Sequence, residues 1–267
     1  MIRLIKIEFL KLKAYKPFWI LTILYAAIII GLGLWAPSFL DWWSDKGASF
    51  SGILPNTMPI FEYDDVWQNL TFLGRFFMPL LAFLIITIVN NEFTFNTQKQ
   101  NIIDGMSRLE WFGSKLIFLL IIVVFATFLH FIVGLYLGAN YSSVQGAEYV
   151  FKNIAFIPAY ALQALSFLSL AMLIVILIKK SILSFGVLLL LYWPGEQLIR
   201  FFLPDATESI HFLFPIKSMM NLIPNPFPKY IFMEADFNVD FQAVLIQVAY
   251  IIVFWTLSYF ILKKRDI

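Results

Sequence analysis

Cysteine is absent from these 267 residues, which excludes a disulfide framework and any zinc or iron–sulfur centre built on thiolates. Its absence fits either side of a membrane. Charge is scarce as well: 13% of the residues are charged, about half the ~25% of ordinary soluble domains. That is too little polar surface to cover a water-soluble globule. No Gly-x-x-x-x-Gly-Lys phosphate loop is present, nor any Gly-Lys dipeptide, so this chain does not hydrolyse ATP by that route. Gly-x-Ser-Gly, His-Glu-x-x-His and paired carboxylates within apolar runs are missing too, which speaks against an intramembrane hydrolase. No catalytic residue and no metal ligand set is expected. What the chain has instead is 61% hydrophobic residues with 30 Phe and 8 Trp. It reads as an all-α integral membrane protein.

A helix needs about 20 mostly apolar residues to cross about 30 Å of hydrocarbon, because no water is there to satisfy its backbone. Charge-free runs predict six transmembrane helices over about 17–38, 72–91, 108–138, 153–178, 181–194 and 241–262. The second lengthens outward if Arg75 snorkels to the interface. The fifth is short, and Pro194–Gly195 should break it. The first run carries no small-residue cleavage pattern and is expected to stay as a span. Six spans put both termini on one side. That side carries 13 of the 19 Lys and Arg, so the positive-inside rule makes both termini cytoplasmic. The net charge of +2 hides this split, and no nucleic-acid partner is read from it.

Outer loops are expected over 39–71 and 204–240, rich in Trp and Pro, as headgroup-level segments of membrane proteins are. The acidic group Glu62, Asp64 and Asp65 in the first of them reads as a solvated loop rather than a cation site. The inner segment 92–107 is the most informative. Gly105 suits the left-handed residue just past a helix end, and Ser107 followed by Glu110 is a capping box. A short helix is therefore expected over about 95–104, polar except for Phe95, Ile102 and Ile103. It is either a plain connector or a surface that meets another protein. Residues 1–16 carry an imperfect apolar stripe (Ile2, Ile5, Phe9, Leu12) with Lys6, Lys11, Lys13 and Lys16, suiting a helix on the inner leaflet.

Six spans, a basic amphipathic start and an inner loop of the form Glu92…Thr97…Gly105-x-Ser107-Arg108…Lys115 resemble the ABC-2 type permeases, the membrane subunits of ATP-binding-cassette exporters. The resemblance covers residues 1–267 as a single transmembrane domain. Asn96-Thr97 and Met106 stand where the family often has Gly-Thr and Pro. The resemblance implies that two such subunits pair, as a homodimer or heterodimer, in the inner (cytoplasmic) membrane of a bacterium. It implies a separate ATPase partner that holds ATP and Mg, with no cofactor on this chain. The segment between spans two and three would be a coupling helix, with Glu92, Phe95, Thr97, Ile102, Ile103, Gly105 and Arg108 as the coupling residues. Between spans five and six it implies re-entrant outer helices.

Ionisable groups inside spans usually point to chemistry, and here they are rare. His130, midway along span three, is either a packing histidine or a proton or substrate group. Glu196 and Arg200, four apart, either pair on one helix face or line an exit gate. Glu92 and Arg108 either anchor the two ends of the coupling helix or are ordinary interfacial charges. The alternative function is an ion- or proton-coupled carrier, which commonly shows several embedded carboxylates or histidines and repeated halves; neither is visible. The apolar character of the spans does not name a cargo.

Overall fold

The computed structural model describes residues 8–9, 11–49, 52–144, 146–195, 198, 201–202, 214–232 and 238–264. Ten helices longer than a single turn organise them: α1 (Lys16–Asp45), α2 (Tyr63–Gly74), α3 (Met78–Thr94), α4 (Thr97–Ile103), α5 (Arg108–Tyr141), α6 (Phe156–Ile178), α7 (Ser181–Leu190), α8 (Pro215–Asn221), α9 (Phe227–Phe232) and α10 (Phe241–Lys264). A tight turn, Arg75–Phe77, joins α2 to α3, so Tyr63–Thr94 runs as one rod. There is no β-strand among the described residues. Among the described residues the protein is all-helical, with five helices long and apolar enough to span a bilayer, as in a multi-pass membrane protein: α1, the α2–α3 rod, α5, α6 and α10. The apolar stretch Ser181–Gly195 is shorter.

Helix α6 is the centre of the bundle. It is apolar all round, the pattern of a helix enclosed by others, and 72% of its most apolar window is buried, against 17% for α1 and 22% for α10. α7 stops at Leu190 and passes into a wider turn, Leu191–Gly195, that holds Pro194. The helix widens at Pro194, which cannot donate to the preceding turn, and does not stop before it; residues 196 and 197 lie outside the described residues.

Two helix bounds differ from the sequence reading. α1 continues to Asp45, beyond the expected end at Ser38, carrying Pro37 inside it. The supposed loop 39–71 also contains α2, where Asp64 and Asp65 sit in the first turn and favour the positive end of the helix dipole. α2 is buried on nearly every side. Its rings dock on α5 where glycine leaves room. A Cβ at Gly134 would lie 2.6 Å from the Trp67 ring, and one at Gly138 would lie 2.2 Å from the Tyr63 ring.

The far end of the bundle, opposite α4, is held by the polar face of α2. Asp65 pairs with Lys229 at 2.5 Å and accepts from the Tyr230 hydroxyl at 2.9 Å. Asn69 Nδ2 reaches the Tyr230 hydroxyl oxygen and the Ile60 carbonyl, both at 2.7 Å. Gln68 donates to the Pro224 carbonyl and Arg75 to that of Ile223. Residues 65, 68, 69 and 75 thus bind segment 214–232 to α2. Asp65 is buried, not a solvated loop residue. Asp64 does pair with Lys152 at the surface, at 2.6 Å, and Glu62 accepts from the Ser142 hydroxyl at 2.8 Å and from the Ser143 amide. These amide and hydroxyl bonds outweigh burial and hold the Glu62 carboxyl below its ordinary pKa.

Candidate functional site: a buried charge clasp beside a short helix

At the other end, α4 hangs between two rods. Its start is set by Asn96 in the left-handed region (φ 55). Its end is a Schellman motif: Gly105 has φ +96, its N–H meets the Ile102 carbonyl at 3.1 Å, and the Met106 N–H meets that of Asn101 at 3.0 Å. The capping box follows, with Glu110 N–H to Ser107 Oγ at 3.2 Å and Ser107 N–H to the Glu110 carboxylate at 2.8 Å. A helix was expected over about 95–104; it occupies Thr97–Ile103. The stop signal of α4 and the start signal of α5 both do what their residue types predict.

Directly behind α4 lies a group of four charges. Lys115 Nζ is 2.5 Å from Glu92 Oε1 and 2.8 Å from Glu8 Oε2. Lys11 Nζ is 2.9 Å from Glu92 Oε1 and 3.5 Å from Glu8 Oε1. The Trp111 indole N–H donates to Glu92 Oε2 at 2.5 Å, and the Ser114 hydroxyl lies 3.2 Å from Glu8 Oε1. Glu8, Glu92 and Lys115 are buried, the Lys115 side chain to 1% exposure. Two acids and two bases sum to zero, which is what permits such burial. Lys11 is partly exposed. Burial pulls its pKa down, but the carboxylates of Glu92 and Glu8 prevail and hold it above the ordinary lysine value. The clasp therefore joins the N-terminal residues, the end of α3 and the start of α5.

Local spacing explains the convergence. Glu8 and Lys11 are three apart, and Trp111 and Lys115 four apart, so each pair shares a helix face. Glu8 was not expected; its segment was read from its apolar stripe and its lysines. Of those, Leu12 is buried and Phe9 exposed, while Ile2 and Ile5 lie outside the described residues. The signal was a lysine, Lys115, standing just inside a long apolar run with no partner nearby in sequence.

The remaining expected coupling residues divide by position. Phe95 and Ile103 are 71% and 83% exposed, and Leu109 beside them is 61% exposed. Ile102 and Thr97 are half-buried. Arg108 does not reach α4 side chains in any bond seen here; its guanidinium donates to the carbonyls of Leu262, at 3.2 Å, and Lys263. A cation at those free carbonyls caps the C-terminal end of α10. Lys179, just after α6, stands over the Phe93 ring at 5.1 Å. So the ends of α3, α6 and α10, the start of α5 and the N-terminal residues gather at one end of the bundle.

This end can be placed against known families. The family described as Protein of unknown function (DUF2705) matches residues 49–267. The chain belongs to the DUF2705 family. Its matched region holds Glu92, Trp111 and Lys115, whereas Glu8 and Lys11 precede it. No curated protein matches this DUF2705 member.

His130 of α5 is enclosed at 0% exposure against α2 and α6. Its Nδ1 faces the Ala126 carbonyl at 2.8 Å, its ring lies 4.1 Å from that of Tyr160, and a Cβ at Gly74 would fall 1.9 Å from Nε2. The Tyr160 hydroxyl is 2.6 Å from that of Tyr25. His130 is thus packed between elements, and Nε2 has no hydrogen-bond partner among the described residues. Glu196 and Arg200 lie outside the described residues.

Proposed function

We propose that this DUF2705 chain is the membrane-spanning permease subunit of an ABC-2 type exporter, driven by a separate ATP-binding-cassette ATPase. In this reading Ser181–Gly195 completes six spans, both termini are cytoplasmic and 214–232 belongs to the re-entrant outer helices. Two permease subunits form the pathway, and ATP and Mg stay on the partner. The observation that carries the reading is α4: a short helix slung without slack between two membrane-length rods, with Phe95, Ile103 and Leu109 exposed beside it. Apolar side chains presented beyond a rigid base suit a protein groove better than water.

The clasp gives the arrangement a mechanical role. A helix moved by a partner transmits force only if its roots are stiff. Glu92 sits at the end of one rod and Lys115 two turns into the next, and their bond ties the two together. ATP-driven closure of the ATPases would push α4, and the α2–α3 rod and α5 would tilt as a unit. Of the two sequence-expected anchors, Glu92 acts on α5 itself, while Arg108 hands the motion to α10.

The test replaces residues 97–103 with a Gly/Ser linker and asks whether an ATP-binding-cassette ATPase that co-purifies with the parent protein is still retained. Loss of co-purification with an unchanged melting temperature is expected. Retention at the wild-type ratio would overturn the assignment of α4 as the coupling helix.

A further inference from the structure

Three glutamines from three membrane-spanning elements end on one segment. Gln247 of α10 donates its amide to the Pro215 carbonyl at 3.4 Å, Gln163 of α6 to that of Met219 at 2.7 Å, and Gln68 of α2 to that of Pro224 at 3.2 Å. A carbonyl acceptor must be met by the amide nitrogen, so these bonds settle which way each amide points. The oxygen is then left over. All three Oε1 atoms are buried and accept from no group among the described residues. Ser218, between Pro215 and Met219 on α8, and Ser166, one turn along α6 from Gln163, have buried hydroxyls in the same condition. These five residues are between 0% and 3% exposed.

Buried polar atoms are nearly always bonded, and Ser169 shows the ordinary case on the same helix. Its hydroxyl donates to the Leu165 carbonyl at 2.6 Å and accepts the Trp255 indole N–H at 2.8 Å. Ser166 does neither. Gln163, Ser166, Ser218 and Gln247 lie where α6, α8 and α10 meet, and what they turn to a visitor is oxygen. Each amide nitrogen is turned to a backbone carbonyl, so the amide oxygen is the end left without a partner among the described residues.

We propose that Gln163, Ser166, Ser218 and Gln247 form a water-accessible site between α6, α8 and α10 for a ligand presenting ammonium or amine N–H groups, and that it disfavours anions. The site goes beyond the permease reading and does not depend on an ATPase.

The absence of cysteine makes the test direct. Ser166→Cys and Ser218→Cys are each exposed, in the full-length protein in membranes, to aminoethyl methanethiosulfonate (a primary ammonium) and to its sulfonatoethyl counterpart (an anion). Rates are divided by each reagent's rate with free cysteine. Both variants should react, the ammonium reagent at least tenfold faster, while Ser169→Cys resists both. Gln247→Leu in the Ser218→Cys background should bring the ratio towards one. Melting within a few degrees of the parent certifies each fold, and Ser166→Cys carries the test if Ser218→Cys does not fold. No reaction at a folded variant, or equal corrected rates, overturns the site. An ATPase that fails to co-purify leaves this result untouched, and failed labelling leaves the coupling helix untouched.

Discussion

The two ends of the bundle solve the same problem with different chemistry. At the α4 end, three stretches far apart in sequence are joined by four charges, Glu8, Lys11, Glu92 and Lys115, each bonded to more than one partner. At the far end a single buried pair, Asp65–Lys229, is supported by Tyr230, Asn69 and neutral amide-to-carbonyl bonds. A network of charges is stiff, because displacing any member leaves another uncompensated in a low-dielectric surround. Neutral amide bonds exchange with water or with one another at lower cost. The contrast is the one the proposed permease requires, a stiff end where a partner would push.

Removing one charge from the network should give the largest effect. Lys115→Met leaves two buried carboxylates facing one half-exposed lysine, and should destabilise by about 3–5 kcal/mol in denaturant titrations in detergent. A Glu92→Gln/Lys115→Met double variant should recover part of that loss; additive losses would show the pair is not coupled. Asp65→Asn at the far end should cost about 1.5–3 kcal/mol, the range for a hydrogen bond to a charged group. A cost equal to that of Lys115→Met would erase the difference between the ends. Gly134→Ala should cost about 1–3 kcal/mol by forcing Trp67 off α5, read as a lower melting temperature. Ser107→Ala, which removes the capping box, should cost about 1 kcal/mol and fray the start of α5 in hydrogen exchange.

The ends should also separate by pH. The Lys11 pKa is raised, so its contribution is complete below the ordinary lysine value and disappears as pH climbs through the higher folded value. The Glu62 pKa is lowered, so its contribution is complete above the ordinary glutamate value and disappears as pH falls through the lower folded value. Exchange protection should therefore fade first around Ser142 and Ser143 in acid and around Glu92 in strong base. The reverse order would contradict both assignments.

How much was legible follows from the range of each interaction. The helix before Gly105 and the Ser107–Glu110 box are written in neighbouring residues, and the structure has both; at Pro194 the helix widens and runs on to Gly195. The extension of α1 and the presence of α2 were not legible, because Trp42, Trp43 and the acidic group resemble any headgroup-level loop. Glu8 was missed because its partner is 107 residues away. The polar face of α2 did leave a trace, since 65, 68 and 69 follow a helical spacing. Gln163 and Gln247 passed unnoticed because a search of spans for ionisable groups overlooks amides.

Arg108 grips the carbonyl end of α10, and α10 carries Gln247. Any tug on the root of α5 therefore draws the last helix along its length. In the proposed permease, a nudge delivered at the loop between the second and third long rods would be relayed, through one guanidinium, to a glutamine that holds the opposite segment by a single amide.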